Sequence, residues 1–324
     1  MTPILGIDIA KESYHATLIV DGRRYQRGFS NRDKAFPELL KWAHKHTTEQ
    51  LHMGLEATGR YWEAVAYYLH AQGHVVSVIN PSRISHFARS KLVRNKTDAV
   101  DSEVIAEFVQ VQRPPSWVPP APEVRELQAL VRHVAALQEL RTQQSNRLEA
   151  GPPSAEVRAS LENLLAYLDV QIADLERKIG ELVDDHPRLK AQAALLESIP
   201  GIASTTAARL LGENIQQFDN ARALAAYAGL TPRQRFSGSS VHGRPHLSKV
   251  GNRHIRHYLY FPAISAMHHN PIVMAFADRL LARHKHKMAV VGAAMRKLLA
   301  IALGVLKSGQ PFDPNYLNRS QIRA

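Results

Sequence analysis

The chain has 324 residues, of which 45% are hydrophobic and 22% are charged, a composition typical of a globular protein with room for two domains. It contains no cysteine, which excludes disulfide bonds and thiolate zinc sites and indicates a reducing compartment, the cytoplasm. Residues 290–306 are the most apolar stretch, but Arg296 and Lys297 lie within it, and no export signal opens the sequence. We therefore expect a buried helix there and no association with a membrane.

Positive charge is concentrated in two tracts that contain no acidic residue. The chain carries 41 Lys and Arg against 29 Asp and Glu, and a net charge of +12 is typical of proteins that bind polyanions. One tract lies between Glu63 and Asp98, the other between Asp219 and Asp278. Because a solvated surface usually mixes both signs, these tracts favour contact with nucleic acid over a role in solubility alone. The residues expected to contact phosphates are Arg83, Arg89, Lys91, Arg94, Lys96, Arg233, Arg235, Arg244, Lys249, Arg253 and Arg256.

Residues 1–115 are predicted to form an α/β domain. Strands are expected at 4–9, 14–20 and 25–29, with a two-residue turn at Asp21-Gly22. A helix at 34–46, a strand at 51–55, a helix at 61–70, a strand at 75–79 and a helix at 98–111 follow. Three antiparallel strands followed by alternating helices and strands indicate an RNase H-like mixed sheet with helices on both faces. Sugar kinases and actin-type ATPases share that core, so the topology alone does not define a function.

Residues 120–186 are predicted to form a stalk of two antiparallel helices, separated by Gly151-Pro152-Pro153. The second helix carries leucines and isoleucines alternately four and three residues apart, which is the seam of a coiled coil. These residues are Leu161, Leu165, Leu168, Ile172, Leu175, Ile179 and Leu182. The seam either closes the hairpin within one chain or also joins two copies of the chain.

Residues 190–312 are expected to form an α-rich domain, followed by a tail at 313–324. Pro200-Gly201-Ile202 separates two predicted helices and resembles a helix-hairpin-helix element, whose turn amides can bind a phosphate. A packing turn between two core helices explains the same pattern equally well.

Four carboxylates are candidates for a metal site. Asp8 and Glu56 end two strands that are parallel neighbours in the predicted sheet, so both should lie at the same edge. Asp98 and Asp101 stand three residues apart at the start of a helix and therefore share one face. Two Mg²⁺ ions about 4 Å apart would relieve the repulsion of such a cluster and catalyse phosphoryl displacement.

Each carboxylate except Asp8 also has a structural explanation. Glu56 could cap the helix near Tyr61, Asp98 could be the N-cap of its own helix, and Asp101 could simply favour the helix dipole. Glu103 and Glu107 are interpreted as solvated charges on a helix face.

A second candidate site is the segment from Gly229 to Ser240, predicted to be a loop within the basic tract. A serine beside arginines can attack a phosphodiester and hold the DNA end covalently, which would need no ATP. Hydrogen bonding of the serines to phosphate or within a turn is the alternative, and local chemistry does not choose among Ser237, Ser239 and Ser240.

Histidines and tyrosines of the same region are weaker candidates. The pairs His242/His246 and His254/His257 have the spacing of metal ligands, but their arginine-rich surroundings favour phosphate contact or packing over zinc. Residues 258–261, Tyr-Leu-Tyr-Phe, are interpreted as an aromatic core run rather than as a source of a tyrosine nucleophile.

Taken together, these residues resemble the DEDD-type insertion-sequence transposases, the family of the Piv/MooV invertases and the bridge-RNA-guided recombinases. The resemblance covers nearly the whole chain and rests on several segments together. They are Gly6-Ile7-Asp8 with Lys11, Glu56-Ala57-Thr58-Gly59, Asn80-Pro81, Arg94 to Asp98 with Asp101, Leu196 to Ile202, Gly229 to Pro232, Ser237-Gly238, Lys249, Gly251-Asn252 and Arg256.

The resemblance implies a RuvC-like domain in which Asp8, Glu56, Asp98 and Asp101 bind two Mg²⁺ ions, for which Mn²⁺ can substitute. It implies that Ser237 is the nucleophile, that the two domains are joined by a coiled coil, and that the protein acts on DNA as a homodimer or homotetramer. A guide noncoding RNA is the partner it implies for the characterised branch. Ser102 stands where the family often has alanine, which does not affect the acids.

The predicted function is therefore that of a DNA recombinase or transposase of an insertion sequence. One alternative is a RuvC-like, structure-specific DNA endonuclease that uses water as nucleophile and forms no covalent adduct. A sugar-kinase-like phosphotransferase would need glycine-rich phosphate loops, which the sequence lacks. A non-catalytic nucleic-acid scaffold would leave the carboxylates unexplained.

Overall fold

The computed structural model describes residues 2–92, 97–152, 154–237 and 241–315, with the backbone alone for 234–237 and 241–245. The chain divides into two compact units, Met1–Pro119 and Pro120–Ala324.

The first unit contains a five-stranded mixed sheet in the order β3-β2-β1-β4-β5. Strands β1, β2 and β3 are antiparallel, whereas β4 runs parallel to both β1 and β5. The strands are β1 (Ile4–Ile9), β2 (Ser13–Val20), β3 (Arg23–Ser30), β4 (His52–Glu56) and β5 (Val75–Ile79). All five were predicted, and Asp21 and Gly22 adopt the positive φ angles, 48° and 79°, of the predicted turn.

Helices cover both faces of this sheet, as predicted. One face packs against α1 (Phe36–Ala43) and α2 (Glu63–Ala71), and the other packs against α4 (Asp98–Gln112). Helix α3 (Pro81–Ser90) was not predicted, because Asn80-Pro81 was interpreted only as the end of a strand. The Asn80 side chain accepts a hydrogen bond from the Ser82 amide at 2.8 Å, and proline occupies the first helical turn. This is a favourable start for a helix.

The second unit begins with two long helices, α5 (Pro122–Glu149) and α6 (Ala155–Asp185). They run antiparallel, with side-chain contacts from Gln138 to Glu176 and from Arg141 to Asp169. Ile172 and Ile179 of the predicted seam are buried in a core that α5 and α6 share with the following helices. The seam is therefore packed within this chain, and the helical pair is continuous with the domain after it.

The rest of the second unit is helical apart from one hairpin, among the residues that the structure describes. Its elements are α7 (Pro187–Glu197), α8 (Ser204–Gly212), α9 (Ala221–Tyr227), β6 (Pro232–Ser237), β7 (Val241–Leu247), α10 (Arg253–His269), α11 (Pro271–Ala282) and α12 (Lys287–Ser308). Helix α12 is long and apolar enough to cross a membrane, but its leucines lie in the shared core, as predicted. The Phe312 amide donates to Ser198 Oγ at 2.8 Å, and most of the predicted tail lies outside the described residues.

The turn between α7 and α8 is a packing turn. Ile199 and Ile202 are buried in the core, and Gly201 has a φ of 102°. A Cβ at Gly201 would come within 2.8 Å of the Ala266 Cβ on α10, so the turn lies directly against that helix. Of the two interpretations of this pattern, the packing turn fits these contacts.

Candidate functional site

Asp8 and Glu56 lie on the same face of the sheet and at the same end of their two parallel strands, β1 and β4. Strands β1 and β4 are parallel, with Gly6 opposite Gly54, so Asp8 and Glu56 occupy equivalent positions two residues further along. Side chains alternate between the faces of a strand, and both glycines face α4. Both carboxylates are therefore directed to the α4 side of the sheet.

The two glycines allow α4 to lie unusually close to the sheet. A Cβ at Gly6 would be 2.3 Å from the backbone nitrogen of Ala106, and one at Gly54 would be 2.2 Å from a methyl group of Val109. A Cβ at Gly6 would therefore displace the backbone of α4, and a Cβ at Gly54 would displace the Val109 side chain. The first turn of α4 is thereby held beside the end of β1 that carries Asp8.

Asp98 and Asp101 lie in that first turn. The helix is capped by Thr97, whose Oγ1 accepts from the Val100 amide at 3.3 Å, so the alternative in which Asp98 is the N-cap is wrong. The capping role considered for Glu56 is also wrong, because α2 begins at Glu63 and its N-cap residue, Trp62, makes no side-chain capping bond. The Glu56 Oε1 instead accepts from the Thr58 hydroxyl at 2.7 Å.

The four carboxylates interact electrostatically. Burial first, and then the charges of Asp101, Asp98 and Glu56, raise the pKa of the Asp8 carboxyl from 3.8 to about 6, while His15 acts in the opposite direction. The raised pKa means that the cluster resists a full complement of negative charge. A cation would remove this penalty.

The oxygen atoms of four carboxylates are a set of ligands that suits Mg²⁺ or Mn²⁺. Among the described residues, no three Asp, Glu, His or Cys side chains form a group already arranged to hold a metal ion. Like charges repel, so these side chains need a cation between them to come closer. The donor chemistry fits the expected ion, and the final ligand distances require rearrangement of the side chains.

His15 belongs to the same cluster, although it was not predicted from the sequence. It faces Asp8 across the antiparallel β1–β2 pair, and its Nδ1 lies 3.5 Å from Asp98 Oδ2. That buried nitrogen has no hydrogen-bond partner among the described residues. The recognisable Asp21-Gly22 turn gives no signal for this pairing, because it joins β2 to β3 and places His15 opposite Gly28. The pairing with Asp8 is set by the short connection between β1 and β2, where the Ala10 amide donates to the Ser13 carbonyl at 2.9 Å.

Ser102 is fully buried against the sheet. Its hydroxyl lies 2.8 Å from Thr17 Oγ1 and donates to the Ala99 carbonyl at 2.9 Å. Thr17 pairs with Gly6 in the sheet, so it lies below the same turn of α4. The hydroxyl group that distinguishes Ser102 from the alanine common in the family therefore has hydrogen-bond partners.

Glu103 and Glu107 are ion-paired rather than solvated, which corrects the prediction. Arg24 pairs with both, and Lys91 pairs with Glu107, whose side chain is only 13% exposed. Lys91 thus makes an internal ion pair, and Arg83 lies 5.0 Å from the centre of the Phe108 ring. Arg89 is exposed, whereas Arg94 and Lys96 lie outside the described residues.

The predicted serine loop is a β-hairpin rather than an irregular loop. Strand β6 pairs with β7 in antiparallel register, and Ser237 ends β6 opposite Val241. Ser237 is therefore the last residue of β6, and its side chain, with those of Arg235 and Arg244, lies outside the described atoms. Ser239 and Ser240 lie outside the described residues. The pattern was missed because arginine, glutamine and proline give no alternation of polar and apolar residues.

Arg256 makes internal hydrogen bonds, and its contact with phosphate stays a prediction. Its Nη1 donates to the carbonyl oxygens of Ala228 at 2.8 Å, Asn252 at 3.3 Å and Gly251 at 3.4 Å. The guanidinium therefore ties together the chain segments on either side of the hairpin. In contrast, Arg233, Lys249 and Arg253 are exposed.

The aromatic run on α10 is only partly buried. Tyr258 is buried as predicted, and burial, with Glu213 nearby, raises the pKa of its phenol to about 12, which disfavours a role as nucleophile. Phe261 is 75% exposed, so the interpretation of this residue as core is wrong. Burial lowers the pKa of His254, and no zinc-like group occurs among the described residues.

Two family models match the chain. The model described as Transposase matches residues 5–151, which include all four carboxylates. The model described as Transposase IS116/IS110/IS902 family matches residues 193–278, which include the hairpin and Arg256.

Individual relatives agree with these models. The chain is 34% identical over 315 residues to the "Pilin gene-inverting protein" of Moraxella bovis, which is 95% of this chain and 97% of that relative. The protein of the same name from Moraxella lacunata has the same identity and coverage. The "Insertion element IS110 uncharacterized 43.6 kDa protein" of Streptomyces coelicolor is 34% identical over 158 residues, 48% of this chain and 37% of the relative.

Proposed function

Since the chain belongs to the IS116/IS110/IS902 family of transposases, which cleave and rejoin DNA, we propose that it exchanges DNA strands with a carboxylate-bound metal pair and a serine nucleophile. The observation that carries this proposal is the pKa of Asp8, raised to about 6 by burial and by three neighbouring carboxylates. A protein retains such an unfavourable cluster where function requires it.

An RNase H-like, RuvC-like first unit is part of the proposal. The order β3-β2-β1-β4-β5, with three antiparallel strands followed by two parallel ones, supports it. In this arrangement Asp8 is on the central strand and Glu56 on its parallel neighbour. The fold thus directs two carboxylates from the sheet towards two from α4.

Asp8, Glu56, Asp98 and Asp101 would hold the two Mg²⁺ ions, or Mn²⁺ in their place. When bound, such ions polarise a phosphodiester and stabilise the charge that develops on the attacking and leaving oxygens. The residues of this chain position the ions: Thr97 fixes the start of α4, and the Thr58 hydroxyl orients Glu56. His15 would orient Asp98.

Ser237 would provide the attacking oxygen. Its Oγ forms a bond to phosphorus as one phosphorus–oxygen bond of the DNA breaks, and the serine proton passes to the leaving oxygen. One phosphoester bond replaces another, so the energy of the broken bond is retained and the DNA end can be rejoined without ATP. All three serines lie within the matched transposase segment, so the choice of Ser237 over Ser239 and Ser240 rests on the family resemblance, in which Ser237 is the serine nearest the Thr231-Pro232 pair.

DNA is the substrate, and a guide noncoding RNA and a homodimer or homotetramer are proposed partners. Exposed apolar residues on the outer face of α6, Leu164, Tyr167 and Val170, support assembly of copies. The name of the Moraxella relatives also supports inversion of a DNA segment as an outcome of the same strand exchange.

Trapping the adduct tests the proposal. The protein is incubated with Mg²⁺ and a nicked DNA that carries the ends of the encoding element, and denaturing gels then reveal covalently bound DNA. Nucleic acid that copurifies with the protein is sequenced first, since it identifies the target and any guide RNA.

Four variants make this experiment specific. Ser237→Ala should abolish the adduct without changing DNA affinity, whereas Ser239→Ala and Ser240→Ala should retain it. Asp8→Asn should abolish cleavage. DNA cleavage without any adduct, unaffected by Ser237→Ala, would instead establish the water-dependent endonuclease.

A further inference from the structure

A buried ion pair in the second unit joins Glu213 and Arg132, neither of which was identified from the sequence. The Glu213 side chain is fully buried, with 0% exposure. Arg132 of α5 binds it through two hydrogen bonds, from Nε to Oε1 at 3.0 Å and from Nη2 to Oε2 at 2.9 Å. A buried carboxylate is costly to desolvate, so an ion pair of this kind contributes little net stability.

Asn252 completes the group. Its Nδ2 donates to Glu213 Oε2 at 2.7 Å, while its Oδ1 accepts from the amides of His254 at 2.8 Å and Ile255 at 3.2 Å. Its own amide donates to the Tyr227 carbonyl at 2.7 Å. Through its side chain and its backbone amide, this one residue therefore connects the end of α8, the end of α9 and the start of α10.

The same segments hold both ends of the β6–β7 hairpin. The Lys249 amide donates to the Gly229 carbonyl at 3.1 Å, and the Ser248 amide donates to the Thr231 carbonyl at 2.9 Å. A Cβ at Gly251 would be 2.1 Å from the Tyr227 carbonyl oxygen, so the backbone at Gly251 packs directly against the backbone at the end of α9. The base of the hairpin is thus fastened within a few residues of Asn252.

We propose that Glu213, Arg132 and Asn252 are positioning residues that fix the direction of the β6–β7 hairpin and hence of Ser237. This inference depends on the proposed function for the role of Ser237, but not for the mechanical link between the network and the hairpin. Its physical basis is directionality. A charge-assisted network tolerates one geometry, whereas apolar packing at the same place would allow the hairpin to tilt.

Glu213→Gln is the informative variant, because it keeps the shape of the side chain and removes its charge. Arg132 Nε, Arg132 Nη2 and Asn252 Nδ2 all donate to the Glu213 carboxylate, and an amide offers one acceptor oxygen instead of two, so at least one of these donors would face the introduced NH2 group. Adding Asn252→Asp reverses the second partner: the amide introduced at position 213 then donates to the carboxylate introduced at position 252, and that carboxylate still caps α10. Asp169→Asn is the matched control, since it removes the charge of an exposed ion pair with Arg141.

Amide hydrogen exchange and adduct formation are measured on each variant. In Glu213→Gln we expect exchange of the β6 and β7 amides to accelerate about tenfold or more while the amides of α12 are unchanged. The initial rate of adduct formation should fall about 10- to 100-fold, the effect of displacing a reacting group by about 1 Å. The DNA affinity of Glu213→Gln should stay within about twofold of the parent, and Asp169→Asn should behave like the parent. The double variant should return the exchange of the hairpin amides and the rate of adduct formation towards the parent values.

Unchanged exchange in the hairpin of Glu213→Gln would overturn the inference. So would acceleration that is equal in the hairpin and in α12, or a double variant no better than the single one, since either result indicates a contribution to stability alone. If Ser237→Ala still forms the adduct, the proposed nucleophile is wrong, but the exchange data still decide the role of the network.

Discussion

Gly6 of β1 and Ser102 of α4 are in direct backbone contact: a Cβ at position 6 would be 2.3 Å from the Ser102 carbonyl oxygen. This contact brings the first turn of α4, with Asp98 and Asp101, beside Asp8. The carboxylate cluster therefore depends on a position that carries no side chain at all.

Gly6→Ala should separate α4 from the sheet. Real Cβ atoms do not approach backbone atoms to 2.3 Å, so the helix must shift. We expect the unfolding free energy to fall by about 2–3 kcal/mol, the upper range for overpacking of a core. Urea unfolding monitored by circular dichroism measures the change, and Mn²⁺ binding should weaken in the same variant.

Gly180→Ala is the control for that substitution. Gly180 lies within α6, and no described atom lies within 4 Å of a Cβ built there. The substitution should stabilise the protein by about 0.5–1 kcal/mol because alanine is the better helix former. Equal behaviour of the two variants would contradict the assigned contact.

Asp8→Asn should remove a pH dependence of stability. The pKa of Asp8 is raised from 3.8 to about 6 in the folded chain, so the folded state holds this proton longer than the unfolded state. The parent protein, free of divalent cations, therefore loses stability as the pH rises from about 4 to 6. Asparagine does not ionise, so the variant should unfold at a higher temperature than the parent above pH 6 and at a similar temperature below pH 4.

Thermal unfolding from pH 4 to pH 8 measures this difference. Millimolar Mg²⁺ should raise the unfolding temperature of the parent above pH 6 and have a smaller effect on Asp8→Asn. A variant less stable than the parent at neutral pH would show that Asp8 is not under electrostatic stress.

His15→Ala should weaken metal binding. His15 Nδ1 lies 3.5 Å from Asp98 Oδ2 and faces Asp8 across the sheet, a position from which it can orient a ligand. Loss of such an orienting partner typically costs about 10- to 100-fold in metal affinity. Calorimetric titration with Mn²⁺, without DNA, tests this, and exposed His44→Ala should leave the affinity unchanged.

Arg256 and Arg253 should affect DNA binding differently. Arg256 binds backbone carbonyls, so Arg256→Gln, which removes the charge, should lower the unfolding free energy by about 1–3 kcal/mol and leave the salt dependence of DNA binding unchanged. Arg253 is 73% exposed, and Arg253→Ala should reduce the slope of log affinity against log salt by about 1. Fluorescence anisotropy at several salt concentrations measures both slopes, and a slope reduced by about 1 for Arg256→Gln would show that Arg256 contacts a phosphate as predicted.

Much of the first unit could be predicted because its signals are local. The alternating strands, the Asp21-Gly22 turn and the parallel pairing of β1 with β4 all follow from short-range patterns and simple topology. That reasoning placed Asp8 and Glu56 at one edge of the sheet. It missed α3, although Asn80-Pro81 is a recognisable helix start.

Less of the second unit could be predicted. The β6–β7 hairpin lacks an alternating pattern, and Glu213 is an ordinary helix-end glutamate in the sequence. Its buried bond to Arg132 joins residues 81 positions apart, and no local pattern encodes that pairing. The sequence also does not distinguish Arg256, bound to carbonyls, from the exposed Arg253.

The sequence by itself identified the candidate residues for the chemistry, because carboxylates, serines and arginines are defined by type and their local spacing by the backbone. Only the tertiary structure decided how close they lie, which charges are paired and which amides hold the hairpin. Those outcomes depend on contacts between distant segments, such as Thr17 with Ser102 across 85 positions, and such contacts form only when the chain is packed.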